Sequence, residues 1–363
     1  MSVHSNEEIK RIIKKFDFEG ETIEFAPYGN GHINDTFIVV NKTEKVQIRY
    51  ILQRINTNIF KDPLGVMDNI LKVCDYLKLS GADSRSVMNL ILTKDGKPCI
   101  IEDDLCWRAY AFIEDAICLE LPDSTDDFYE CAVAFGRFQK YLDGFPAAEL
   151  HETIPQFHDT VKRFNDFKTA VEKNASGRAD NVKEEIEFIK AREDFYSVLM
   201  DANKAGTLPL RVTHNDTKSN NVMLDAKTRK ALCVVDLDTI MPGFSVTDFG
   251  DSIRFGASTA SEDEKDLDKV WIDLDMFEAY VKGFLDGCDG MLTKEEIMLL
   301  PEGAKMMTIE CGMRFLADYI DGDTYFKTKY PEHNLDRAHT QLKLVADMEK
   351  HWDEMKAIVK KYS

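Results

Sequence analysis

Between residues 211 and 239 the chain reads RVTHNDTKSNNVMLDAKTRKALCVVDLDT, and this stretch narrows the possible folds more than any other. Two short apolar runs, NNVML and ALCVVD, flank the polar segment DAKTRK, the pattern of a β-hairpin. A turn centred on Thr228 and Arg229 sets Leu224 opposite Cys233 and Asn221 opposite Asp236 in an antiparallel register. Asp216, Asn221 and Asp236 then meet at the open end of the hairpin. Their oxygens are the hard donors that magnesium takes, with waters and substrate phosphates completing its shell. Asp238 shares the face of Asp236 by the period of two, and can join or replace it.

His214, Asp216 and Asn221 form H-x-D-x-x-x-x-N, followed by an apolar strand and an acid. A phosphoryl-transfer site of the protein-kinase type uses this order. In that scheme Asp216 accepts the proton of the acceptor hydroxyl, and Asn221 and Asp236 hold magnesium. Lys218 steadies the phosphoryl group in transit, and His214 braces the loop. A literal Asp-Phe-Gly, Asp248 to Gly250, lies beyond a Met-Pro-Gly break. No hairpin register returns it to Asn221, so Asp236 is the expected metal ligand. Asp248 and Asp251 are expected to bind backbone NH groups of the catalytic loop or to cap the following segment.

The rest of the chain predicts an α+β, two-lobed architecture. At 363 residues it is long for one core. Residues 21–55 alternate apolar and polar positions as three antiparallel strands; 62–79 have helical spacing after an Asp-Pro start, and 89–93 and 105–113 are further strands. From residue 124 onward long amphipathic stretches predominate, including 182–206 and 337–362, each expected as a helix. The predicted division is a β-rich lobe over 1–113, a hinge over 114–123 and a helical lobe over 124–363.

A net charge of −19 without a basic stripe argues against nucleic acid as a partner, and no apolar run is long enough to span a bilayer. The first residues lack the apolar core of a signal peptide, which predicts a cytoplasmic protein. Eight cysteines with no Cys-x-x-Cys spacing read as free thiols. No protein partner is implied.

At HNDTKSNN and DLDTIMPG the chain resembles the aminoglycoside phosphotransferase and choline kinase superfamily. With DFGDSIRFGAS, ECGMRFLADY, YPEHNL, PYGNGHIN and YILQR added, it resembles the branch of that superfamily that phosphorylates N-acetylhexosamines. The resemblance implies a protein-kinase-like fold, ATP and Mg2+, and transfer to the anomeric hydroxyl of a small-molecule sugar substrate. Gly29, Asn30 and Gly31 would cover the nucleotide phosphates and His32 would touch the sugar. Arg54, or else Gln53, would be the third-strand cation position, with Asp68 as the carboxylate orienting it. Phe112, Ile113, Glu114 and Asp115 would hold adenine. Phe255, Arg314 and Tyr325 would line the sugar pocket with Asp216; an Arg314–Asp318 salt bridge is the structural alternative. Choline, aminoglycoside or homoserine kinases share the same loop and remain alternatives, as does a nucleotide-binding module without turnover.

Overall fold

In the computed structural model, which describes residues 5–29 and 34–363, the chain opens with helix α1 (Asn6–Ile13). The Ser5 side chain accepts from the Glu8 amide, and Glu7 and Glu8 sit in the positively polarised first turn. Strands β1 (Glu21–Pro27), β2 (Asp35–Lys42) and β3 (Gln47–Ile55) follow. Helix α2 (Pro63–Leu79) starts where Asp62 accepts from the Gly65 amide at 2.9 Å, with proline in its first turn. Strands β4 (Leu90–Ile91), β5 (Ile100–Glu102) and β6 (Leu105–Ala111) complete the first sheet, ordered β1-β2-β3-β6-β4 with β5 also on β6. One face of this antiparallel sheet buries Leu52 and Trp107 against Ile9, Ile12 and Phe16. Cys106 and Tyr110 belong to the other core, which takes in α2 and runs on into the second lobe.

The chain crosses between lobes at residues 112–115 and enters β7 (Ala116–Cys118), which pairs with the catalytic hairpin. The expected hinge therefore contains a strand of the second lobe. Helices α3 (Thr125–Tyr141), α4 (Thr160–Lys173), α5 (Lys183–Lys190) and α6 (Val198–Lys204) precede four short strands, β8 (Arg211–Thr213), β9 (Val222–Asp225), β10 (Ala231–Val234) and β11 (Met241–Gly243). Strand β9 lies between β10 and β7, and β11 pairs with β8. Helices α7 (Ser245–Gly256), α8 (Leu274–Cys288), α9 (Lys294–Met298), α10 (Leu300–Asp321), α11 (His333–Lys350) and α12 (Trp352–Tyr362) close the lobe. The fold is the two-lobed, kinase-like arrangement expected. No helix among the described residues is long and apolar enough to cross a membrane.

Two expected helices are broken. Residues 182–206 divide into α5 and α6 because Arg192 leaves the helical line to make a bidentate pair with Glu349, while the Tyr196 hydroxyl donates to the Ile189 carbonyl at 2.7 Å. Residues 337–362 divide at His351. The hairpin register also differs from expectation. Val222 pairs with Val234 and Met223 with Cys233, then an irregularity sets Leu224 against Ala231. Asn221 therefore faces Val235, whose amide donates to its carbonyl at 2.9 Å, and Asp236 lies one residue further on.

Candidate active site

The catalytic loop leaves β8 and is held from beneath by α7. Asp248, buried in that helix, accepts from the His214 amide at 2.8 Å, the Asn215 amide at 2.8 Å and the Gln139 side chain at 3.0 Å. These bonds stabilise Asn215 in its left-handed conformation, φ 64°. One turn on, Asp251 accepts from the Thr217 amide at 3.0 Å. The roles expected of Asp248 and Asp251 are thus the ones the structure displays. The remaining residues of the Asp-Phe-Gly sequence are also packing elements. Phe249 meets Phe277, Tyr280 and Phe284, and a Cβ at Gly250 would come within 2.2 Å of the Gly303 carbonyl of α10.

His214 is wholly buried between the rings of Phe135 and Phe138. Its Nε2 lies 2.9 Å from the Val235 carbonyl and its Nδ1 3.3 Å from the Asp216 amide, so it ties the loop to the end of β10. Asn221 donates to the Asp216 carbonyl at 2.8 Å and to its carboxylate at 3.3 Å, leaving the Asn221 side-chain oxygen for another ligand. Lys218 Nζ sits 2.9 Å from the other Asp216 oxygen, and that charge raises the Lys218 amine above its ordinary range.

Asp236 stands at the end of β10 with φ 60°. Its side chain keeps an open face, yet the protein around it, with Asp238 and Asp216 adding charge, pushes its carboxyl up to about 7. No ion-pair partner reaches it among the described residues. A carboxylate in that condition, one residue beyond the Val235 amide that binds the Asn221 carbonyl, fits a divalent cation. Among the described residues no group of three His, Cys, Asp or Glu side chains could hold a metal ion. Asp238 is differently placed, because one oxygen pairs with Arg108 and the other accepts from Asn34 at 2.7 Å.

On the nucleotide side, Arg54 is turned to Asp35, its partner across β2 and β3, rather than toward the second lobe. Asp68 does not orient it; that carboxylate pairs with Lys72 and His151, each at 2.8 Å. Gln53 faces the second lobe instead and accepts from Arg108. Gly29 has φ 75°, a turn conformation that suits glycine, whereas Asn30, Gly31 and His32 lie outside the described residues. Phe112 packs under the Arg49 guanidinium and against Tyr28, and Glu114 pairs with Arg49. The amides of Ile113, Glu114 and Asp115 donate to no other backbone group among the described residues, whereas the Glu114 and Asp115 carbonyls accept from Arg85 and from the Ala226 amide.

Beside the catalytic loop lies a pair the sequence reading missed. His158 bonds Glu310 on α10 at 2.8 Å and, with its other nitrogen, the Asn215 carbonyl at 3.2 Å. Burial disfavours both charges, yet each partner holds the other ionised: His158 lies above its ordinary value and Glu310 below. One turn along α10, Arg314 projects among the rings of Phe157, Tyr325 and Phe326, with centroids at 5.6, 5.9 and 5.5 Å. It makes no ion pair among the described residues. The alternative partner, Asp318, is occupied by the amides of Thr324, Tyr325 and Phe326. Tyr325 is 69% exposed and Phe255, on α7 beside Arg254, is half-buried. The signal for Arg108 was an arginine among Cys106 and Tyr110 on the inward face of an apolar strand. His158 carried no local signal.

Comparisons with known proteins agree with this fold. The microcompartment-associated aminopropanol kinase superposes with a TM-score of 0.63 at 15% identity, covering 96% of this chain and 98% of that one. The ethanolamine kinase of Plasmodium vivax gives 0.56 at 15% identity over 88% and 82%. The choline kinase of Cryptosporidium parvum gives 0.56 at 15% identity over 93% and 92%. At such identities the likeness speaks to fold alone. The phosphotransferase enzyme family (APH) matches residues 24–271, more than half of the chain, and this protein belongs to that family.

Proposed function

We propose that this chain transfers the terminal phosphoryl group of ATP to the anomeric hydroxyl of an N-acetylhexosamine, N-acetylglucosamine or N-acetylgalactosamine, giving the sugar 1-phosphate and ADP. The observation that carries the acceptor class is Arg314, a guanidinium without a carboxylate partner among the described residues, framed by aromatic rings. It lies one turn from Glu310, which reaches the catalytic loop through His158. A guanidinium repels cationic acceptors and suits hydroxyls and an acetamido carbonyl; aromatic rings suit a hexose face. The sugar identity itself rests on the sequence blocks that resemble the N-acetylhexosamine kinases.

Asp216 accepts the proton of the anomeric hydroxyl, which is more acidic than an ordinary alcohol. Lys218, 2.9 Å from Asp216, would meet the phosphoryl group and hold the base in position. Asn221 and Asp236 would hold magnesium, whose charge neutralises the phosphate oxygens when bound. His214 and Asp248 keep the loop rigid, and most of the acceleration comes from positioning and charge. Solved neighbours include a spectinomycin phosphotransferase in complex with ADP and an aminoglycoside 2'-phosphotransferase in complex with GDP, which supports a nucleotide at the lobe junction here. ADP release measured across N-acetylglucosamine, N-acetylgalactosamine, glucose, choline, ethanolamine and spectinomycin tests the proposal. Turnover on the N-acetylated sugars is expected, and turnover on an amine alone rejects it.

A further inference from the structure

Arg108 lies on β6, between β3 and β4, with 1% of its surface exposed. A guanidinium this deeply buried persists only where its donors are filled. Its Nε and Nη2 donate to the Gln53 side-chain oxygen at 3.1 and 2.9 Å, and Gln53 is its cross-strand neighbour on β3. Its Nη1 donates across the lobe junction to Asp238. The other Asp238 oxygen accepts from Asn34 at 2.7 Å, again from the first lobe, and Asn34 is fixed by the Asn56 amide at 3.0 Å.

The turn that contains Asp238 is fastened on its other sides as well. The Thr239 hydroxyl donates to the His214 carbonyl at 2.7 Å, and Asn215 Nδ2 donates to the Thr239 carbonyl at 2.8 Å. Asn69 of α2 donates to the Ile240 carbonyl at 3.0 Å. Asp236 is the single left-handed residue between the end of β10 and this turn. The backbone position of Asp236 therefore depends on whatever holds residues 237–240. Arg108 also pairs with Asp238, the acid two residues beyond Asp236, and so offsets its charge inside the lobe junction.

We propose that Arg108 is a positioning residue for the metal-bound nucleotide: from the first lobe it fixes Asp238, and through the turn Leu237–Thr239 it aims Asp236 at the cation. The positive charge that β3 lacks at Gln53 is supplied from the adjacent strand and acts through the metal-bearing turn rather than on the phosphates. This inference rests on the phosphotransfer reading above.

Isothermal titration of ADP into the full-length protein, with Mg2+ and with EDTA, tests it. Arg108→Met is expected to weaken ADP binding in Mg2+ by about 10- to 100-fold, the usual effect of losing a residue that orients a metal ligand. Binding in EDTA is expected to change less than about twofold, because Arg108, buried against Gln53 and Asp238, acts on the nucleotide only through the metal-bearing turn in this proposal. Should Arg108→Met fail to fold, the double variant Arg108→Met/Asp238→Asn, which leaves no unpaired buried charge, must give the same split. In either variant the KM for ATP should rise while the KM for the sugar stays. Equal losses in Mg2+ and EDTA, or no loss in either, overturn the positioning role while leaving the phosphotransfer reading intact. Failure of the unaltered protein to bind ADP under both conditions overturns both.

Discussion

Asp216 and Asp248 lie on either side of one loop and do different work. Asp216 is reached by Lys218 and Asn221, whereas Asp248 spends both oxygens on buried amides. Asp216→Asn should lower kcat by about 10²- to 10⁴-fold, the range for loss of a general base, with ADP affinity retained. Steady-state kinetics with calorimetry would check this, and an unchanged rate removes Asp216 from the chemistry. Asp248→Ala orphans buried donors at about 1–3 kcal/mol each and should lower the unfolding midpoint. Asp236→Ala should abolish Mg2+-dependent turnover with a smaller thermal effect. The opposite pattern would return the metal to the literal Asp-Phe-Gly.

The His158–Glu310 pair adds a pH dependence at the same scale. The His158 value is raised on folding, so its contribution is full below the ordinary histidine range and is lost as pH rises through the folded value. The Glu310 value is lowered, so its contribution is full above the ordinary carboxylate range and is lost as pH falls through the folded value. Thermal midpoints should therefore form a plateau between the two limbs. His158→Gln should flatten the alkaline limb; an unaltered alkaline limb would dismiss the pair as its origin.

At the scale of elements, α7 is both a packing helix and the floor of the catalytic loop. It approaches α10 through Gly250 and Gly303, where a Cβ on either would fall within 2.2 Å of the other helix's backbone. Gly250→Ala should cost about 1–3 kcal/mol by overpacking and, by displacing Asp248 and Asp251, lower kcat as well. Circular dichroism melts and kinetics on one preparation check both effects. The hairpin shows where local reading stops. Its two runs were legible from alternation, but its register was not. Glu130 of α3 accepts from the Ala231 amide at 2.9 Å and from Lys230 at 2.6 Å, and Asp127 binds Arg229. The turn is drawn toward α3, and the irregularity between Ala231 and Cys233 follows.

At the scale of the whole molecule, the lobes meet where the candidate nucleotide site lies, so ligand and lobe junction should stabilise each other. ADP with Mg2+ at a hundred times its dissociation constant should stabilise the protein by about 2.7 kcal/mol, and EDTA should remove most of that gain. A thermal shift insensitive to EDTA would argue that the cation does not join the nucleotide. Two lobes, the three leading strands, α2 and the catalytic loop were all readable, because alternation, capping residues and the spacing of His214, Asp216 and Asn221 are properties of neighbouring residues. Sequence alone thus determined which candidate acids and amide the molecule carries, and roughly on which local structures. Only the tertiary structure decided their partners: that Arg54 belongs to Asp35, that Asp238 belongs to Arg108 across 130 positions, and that His158 joins Glu310 to the loop. Those choices depend on which surfaces the folded core brings into contact, and the order of residues along one strand or helix does not record that.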